Sequence, residues 1–280
     1  MINSRNRTYW MFVAPLLCFL AVFFFLPLAQ VLIYSVTEPS WGLQNFARLF
    51  TSVTVQRILL LTLKITAFTT LICVVVGYVI AYAMVHVSGR RYMLMMFFVL
   101  VPFWLSIVIR AFAWIVLLRN NGIVNTFLVD FGLTDAPIRL VRNEFGVLVG
   151  IVHVMLPFAV LTLLSSLKGV DKRLVLAARS LGASWWQSFW QVYLPNSIPG
   201  IFGAAIIVSI VTLGFFITPV ILGGGRSVMV AEYVSVQALT LGKVGEAAML
   251  SVVMMMAVAL LIFGLGRIVN LRDLLGARQS

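Results

Sequence analysis

The chain has 280 residues, 62% of them hydrophobic and 10% charged, and its formal charge of +12 comes from 20 Lys and Arg set against 8 Asp and Glu. A mean hydropathy of +1.10 lies well outside the range of soluble domains and points to a bilayer. A nucleic-acid footprint would need a basic soluble domain, which the sequence lacks, so lipid is an implied partner and nucleic acid is not.

Apolar runs long enough to cross a hydrocarbon core of about 30 Å extend over Trp10 to Val36, Leu59 to Val85, Tyr92 to Leu118, Phe145 to Leu167, Ile198 to Leu222 and Ala247 to Val269. They predict an all-α, six-span helical bundle, organised as one membrane domain over residues 1–280 without linker, low-complexity tract or internal repeat. The first run is too long for a cleaved signal peptide, and its Trp10 flank and internal Pro27 are wrong for one, so it is expected to be retained. Cys18 and Cys73 fall inside spans and read as small apolar fillers. Pro102, Pro157, Pro219, Gly77 and Gly214 also fall inside spans. Helices bent around a pathway would explain them, as would the general enrichment of both residues in membrane helices. In the loop from Arg119 to Glu144, Asn120-Asn121-Gly122 reads as a turn, and Ile123, Phe127, Leu128 and Phe131 then recur at helical spacing, predicting a short surface helix.

Orientation follows from the basic residues. With the N-terminus inside, the cytoplasmic pieces carry Arg5, Arg7, Arg90, Arg91, Lys168, Lys172, Arg173, Arg179, Arg267, Arg272 and Arg278 against only Asp171 and Asp273. The outer pieces hold Glu38, Asp130, Asp135, Glu144, Glu232 and Glu246. The bias toward positive residues inside places both termini in the cytoplasm.

The polar segment at about 168–197 is the most informative. Ala177, Ala178 and Gly182 are small, and Ala178 and Gly182 stand one helical turn apart, which gives a flat patch that another protein can approach closely. Gly182 suits a helix C-terminal turn. Ser184 and Gln187 have the spacing of a capping box that starts a second short helix with Trp185, and Leu194-Pro195 is expected to end it. A helix, a turn and a helix outside the bilayer result. The spacing from Ala177-Ala178 through Gly182 to Val192 and Leu194-Pro195 resembles the cytoplasmic loop of bacterial ABC importer permeases. That family usually has Glu before the two alanines, whereas Leu176 stands here, so the ion pair such a Glu would make does not carry over.

No motif argues for catalysis. The nearest lookalike of a phosphate loop, Leu241-Gly242-Lys243-Val244, lacks the earlier Gly and has Val where Ser or Thr would hold the metal. His86 and His153 are far apart in sequence, have no ligand at metal-binding spacing, and read as interfacial or packed residues. A Gly-x-Ser-x-Gly nucleophile motif is absent as well. No Asp or Glu occurs within a predicted span, which disfavours a carrier driven by a buried carboxylate.

Two cations do lie within spans, Lys64 near the start of the second and Arg110 in the second half of the third, both toward the outer side. Uncompensated charge in lipid marks a functional candidate, although snorkelling to the headgroups would place them equally well. Val101 to Trp114 with Arg119 to Asn125, and Leu213 to Gly225, resemble the spermidine/putrescine permease group. Trp104, Phe215 and Phe216 could stabilise an ammonium by cation–π attraction, although aromatic residues at helical spacing are usually packing. With Lys64, Arg110 and Thr218 they form the candidate solute path.

Taken together, the resemblances imply the fold of a type I ABC importer permease in the bacterial inner membrane. The implied solute is a polyamine, with an opine, a phosphonate or an amino-acid-like solute as alternatives and an ion-coupled carrier as a more distant one. The implied partners are a second permease subunit in a heterodimer, two cytoplasmic ATPase subunits that bind ATP and Mg, and a periplasmic solute-binding protein. No cofactor or metal is implied for this chain.

Overall fold

The computed structural model describes residues 4–268, and every regular element among them is helical. Val269 at the end of the sixth apolar run and Arg272, Asp273 and Arg278 of the orientation argument lie outside the described residues. In chain order the helices are α1 (Ser4–Leu20), α2 (Leu26–Thr37), α3 (Gln44–Thr51), α4 (Val53–His86), α5 (Gly89–Trp104), α6 (Ile107–Leu118) and α7 (Ile123–Asp130). They continue with α8 (Glu144–Lys168), α9 (Lys172–Ser180), α10 (Trp185–Ser188), α11 (Leu194–Leu213), α12 (Ile217–Gly223), α13 (Val230–Ser235) and α14 (Val244–Ile268). Among the described residues, six helical stretches are long and apolar enough to cross a membrane.

Two of the predicted spans are not single helices. The third is broken at Leu105 and Ser106, which adopt extended ψ angles of 134° and 138° between α5 and α6. Pro102 lacks the N–H that would close the last turn of α5, so the ladder is already weakened where it stops. The fifth ends at Leu213, is interrupted through Gly214 to Phe216, and restarts at Ile217 with Pro219 in the first turn of α12, where a missing donor costs little. Two other spans stay continuous. α4 runs unbroken through Gly77, where a Cβ would stand 3.2 Å from Ala159 Cβ, so this glycine allows close helix approach. α8 likewise continues through Pro157.

Leu194-Pro195 does not terminate the docking segment. A π-helical turn, Phe189–Tyr193, joins α10 to α11, and Leu194 itself is helical at φ −61°, ψ −47°. Its N–H bonds to Phe189 O, one residue further back than in an α-helix. This wider turn relieves the proline ring's clash with the carbonyl four residues earlier, and Asn196 Nδ2 donates to Val192 O at 2.7 Å. A similar π turn, Ala21–Phe25, precedes Pro27 between α1 and α2.

The described residues form two compact units. The first combines residues up to 56 with 233–256. In it Asn45 Nδ2 bonds Ser35 O at 3.1 Å and Glu38 O at 2.6 Å, tying α3 to the end of α2. Glu246, 5% exposed, pairs with Arg48 and accepts a hydrogen bond from Tyr233 Oη at 3.1 Å.

The second unit, 57–232 with the chain beyond 256, is built around α8. Val147, Ile151, Met155, Ala159, Val160 and Leu163 are all at most 1% exposed, and α5, α6, α11 and α12 pack on this helix. Gly200 sets the closeness of α8 and α11, because a Cβ there would collide with Ser166 Oγ. The predicted surface helix exists as α7, and Gly122 precedes it at a point where a Cβ would strike Leu117 O. Asn125, fully buried, anchors this loop: its Nδ2 donates to Arg119 O at 3.1 Å and Ile138 O at 3.0 Å, and its Oδ1 accepts Ile138 N–H at 2.8 Å.

Asn125→Ala leaves the Ile138 N–H and carbonyl without their partner, while Arg119 O keeps the Gly122 N–H. It is expected to cost about 2–3 kcal/mol and to lower the melting temperature of the detergent-purified protein, which a thermal unfolding scan measures directly.

Candidate functional site

The docking segment is assembled by local rules and then clamped by aromatic rings. α9 starts at Asp171, whose side chain accepts Arg173 N–H at 2.9 Å. It ends in a Schellman turn: Ala183 N–H bonds Ala178 O at 3.1 Å, Gly182 N–H bonds Arg179 O at 3.0 Å, and Gly182 has φ +90°. The capping box is present, with Ser184 Oγ accepting Gln187 N–H at 3.2 Å and Gln187 Oε1 accepting Ser184 N–H at 2.8 Å. A Cβ at Gly182 would meet nothing within 4 Å, so this turn is open on its outer side, where Ala177 also lies exposed. Large apolar side chains surround it in the open, with Leu181 90%, Trp186 63% and Leu176 62% exposed. Such a concentration of exposed apolar surface on a polar loop marks an interaction site.

Behind this surface two ladders interlock. Tyr78, Tyr82 and His86 repeat every four residues on α4, and Trp185, Phe189 and Tyr193 repeat every four along α10 and the π turn. Phe189 meets Tyr78 and Tyr82 edge-to-face at 6.4 and 5.7 Å, and Tyr193 meets Tyr82 at 5.2 Å. Beneath α9 they wall a cavity of about 320 Å³ that Lys172, Leu176 and Arg179 also line. Leu176 therefore flanks this cavity as well as facing outward. The four-residue repeats are visible in the sequence. Their pairing is not, because it joins positions about a hundred residues apart.

The solute-path candidates divide into groups. Arg110 on α6 and Thr218 on α12 belong to helices that pack on each other, and Phe215 lies in the core at 8% exposure. Thr218, 1% exposed, has an unpartnered hydroxyl, and Arg110 Nε is likewise buried without a partner. Next to them, Trp114 Nε1 donates to His153 Nδ1 at 3.1 Å. Phe216 is 42% exposed, and Trp104, the last residue of α5, is 74% exposed. Lys64 stands apart, with its Nζ 2.6 Å from Glu144 Oε2 at the start of α8 and both side chains about half exposed. Glu232, read from sequence as an outer-loop acid, is 9% exposed with Oε2 unpartnered, and burial pushes its carboxyl above the usual range.

Residues 73–272 match the family described as the binding-protein-dependent transport system inner membrane component. The chain belongs to this family. The spermidine/putrescine transport system permease protein PotB of Haemophilus influenzae is 34% identical over 221 residues, which cover 79% of this chain and 77% of that protein. The PotB protein of Escherichia coli is 31% identical over 231 residues, covering 82% and 84%. A solved bacterial alginate ABC transporter, in complex with an alginate pentasaccharide-bound periplasmic protein, contains a chain that matches at 17% identity with a TM-score of 0.77, covering 96% of each chain, which shows a shared fold. The permease is thus a multi-pass inner-membrane component of a binding-protein-dependent transporter.

In the permease Phe189 is the hub of the clamp. Phe189→Ala is expected to cost roughly 3 kcal/mol. Amide hydrogen exchange should rise in residues 185–193 while the α8 core stays protected, and uniform exchange across both regions would contradict the assignment.

Proposed function

We propose that this chain is the permease subunit of an ATP-driven polyamine importer, in which the segment around Ala177, Ala178, Gly182, Ser184, Trp185 and Gln187 docks a cytoplasmic ATPase. The observation that carries the docking assignment is the open Gly182 turn ringed by exposed Leu176, Leu181 and Trp186. The names of the PotB relatives support the solute class. In this reading a heterodimer with a second permease, two ATPase subunits carrying ATP and Mg, and a periplasmic solute-binding protein complete the assembly, and both termini are cytoplasmic.

The mechanism follows from the continuity of α10 with α11. A force on the loop, when the ATPases close on ATP, passes through the π turn and Leu194-Pro195 directly into α11, and through the aromatic ladders into α4. Closure thereby biases a helix bundle between two access states, which is the physical requirement for coupling distant sites. The break at Gly214 to Phe216 gives α11 a place to bend against α12.

Gly182→Asp tests the docking assignment. The side chain has room, so insertion should be normal, but φ +90° imposes about 1–2 kcal/mol of strain and a charge enters the contact. Solute-stimulated ATPase activity of the reconstituted complex should fall roughly tenfold, equivalent to about 1.4 kcal/mol. Unchanged activity and unchanged recovery of the ATPase with the permease would remove the assignment.

One observation favours a second reading. Arg110 makes no ion pair within 4.0 Å among the described residues, and a fixed cation facing the path would attract an opine or phosphonate instead of a polyamine. For such a solute Arg110→Ala should lower uptake with assembly intact. For a polyamine Arg110 should pair with an acid of the second permease, and the same change should reduce recovery of the complex. Uptake and subunit recovery measured on one preparation separate the two.

A further inference from the structure

A cavity of about 770 Å³ in the second unit lies between the C-terminal turns of α8 and the start of α11. Its chemistry is unlike that of everything around it. The sequence near this end of the bundle is rich in cations, with Lys168, Lys172, Arg173 and Arg179 within twelve positions, yet no Lys or Arg lines the cavity, whereas Asp171 does. Three of these cations are directed elsewhere. Lys168 Nζ bonds Tyr92 Oη at 2.9 Å and sits 4.8 Å from the centre of that ring, and Lys172 and Arg179 line the separate cavity beneath α9.

Besides the Ser165 and Ser166 hydroxyls, which can donate or accept, the lining offers several acceptors. Thr162 donates its proton to Phe158 O at 2.8 Å, which leaves its oxygen's lone pairs toward other partners. Asn196 spends its Nδ2 on Val192 O and keeps its amide oxygen. Asp171 uses one carboxylate oxygen to cap α9 and has the other in reserve. Pro199 has no N–H, so the carbonyl of Pro195 loses its helical donor, and both residues line the cavity. An ammonium group has three donors and no acceptor, so a lining of this kind is complementary to it. On the cavity wall α8 and α11 approach each other at Ser166 and Gly200 and again at Thr162 and Gly203.

We infer that this cavity is a transit site for the cationic solute on the cytoplasmic side, with Asp171 and the oxygens of Thr162, Asn196 and Pro195 accepting its ammonium groups. It rests on the polyamine reading and on the cytoplasmic placement of α9, and it assigns the path to residues distinct from the Arg110 and Phe216 region. The electrostatic consequence is selectivity: a cleft lined by one sign of charge concentrates the opposite ion.

The assembled complex carrying Ser165→Cys, with Cys18→Ser and Cys73→Ala to remove the native thiols, provides the test. In inside-out vesicles a trimethylammonium methanethiosulfonate should modify position 165 at least about tenfold faster than the sulfonate analogue, relative to their rates with a free thiol. Spermidine should slow the reaction. Asp171→Asn keeps the helix cap, so the fold should survive while the charge preference falls at least about threefold and spermidine uptake by proteoliposomes drops with it. Equal rates for the two reagents would overturn the inference. So would the absence of reaction with either, the result expected if a helix of the second permease fills the cavity. Normal spermidine uptake with either failure removes only the transit site, whereas absent uptake with tight binding of an anionic solute by the solute-binding protein removes the polyamine reading itself.

Discussion

Burial of α8 is the constraint from which the second unit is built. In a bilayer the hydrophobic effect does not drive helices together, because lipid is as apolar as leucine, so association depends on close packing and on small residues that permit it. α8 meets that requirement on several sides. Ala159 takes the approach of Gly77 on α4, Gly150 admits Leu222 and Thr218 of α12, and Ser166 touches Gly200 of α11. Since α9 follows α8 after a short turn, the placement of this one helix also fixes where the docking segment starts.

The segment from Asp171 to Tyr193 shows how a polar loop can be held in place. Its turn is held by backbone bonds and its second helix by a reciprocal cap, each a local device of modest strength. The aromatic ladders make it more than a loop, because they tie α10 and the π turn to the end of α4. A π turn usually marks a functional position in a helix. Here it lets Pro195 sit in a helix that continues from α10 into α11.

The two cavities at this end of the second unit separate charge. One gathers Lys172 and Arg179 with aromatic walls, and the other holds Asp171 with hydroxyl, amide and freed carbonyl oxygens. The excess of basic residues that sets topology would, if it lined the passage, repel a cationic solute. On α9, Lys172 and Arg179 face the aromatic-walled cavity, and Leu174 faces the one lined by Asp171.

Much of this was legible in the residues. Hydropathy runs gave the number of spans, Gly182 and the Ser184 and Gln187 pair gave the turn and cap, and the spacing to Leu194-Pro195 gave the family resemblance, because each depends on neighbours within a few residues. The tertiary structure decided what depends on distant partners. Pro195 reads as a helix end, but the π turn and the packing of Tyr193 on Tyr82 carry the helix through it. Tyr92 to Leu118 and Ile198 to Leu222 read as continuous spans, yet each breaks, since a hydropathy window counts apolar residues and cannot register where α6 and α12 pack together. Phe215 and Phe216 look alike in sequence, and only the fold buries one and exposes the other. Local sequence set the turns, caps and membrane residence, while long-range packing alone chose which faces meet, because that choice sums contacts between residues far apart along the chain.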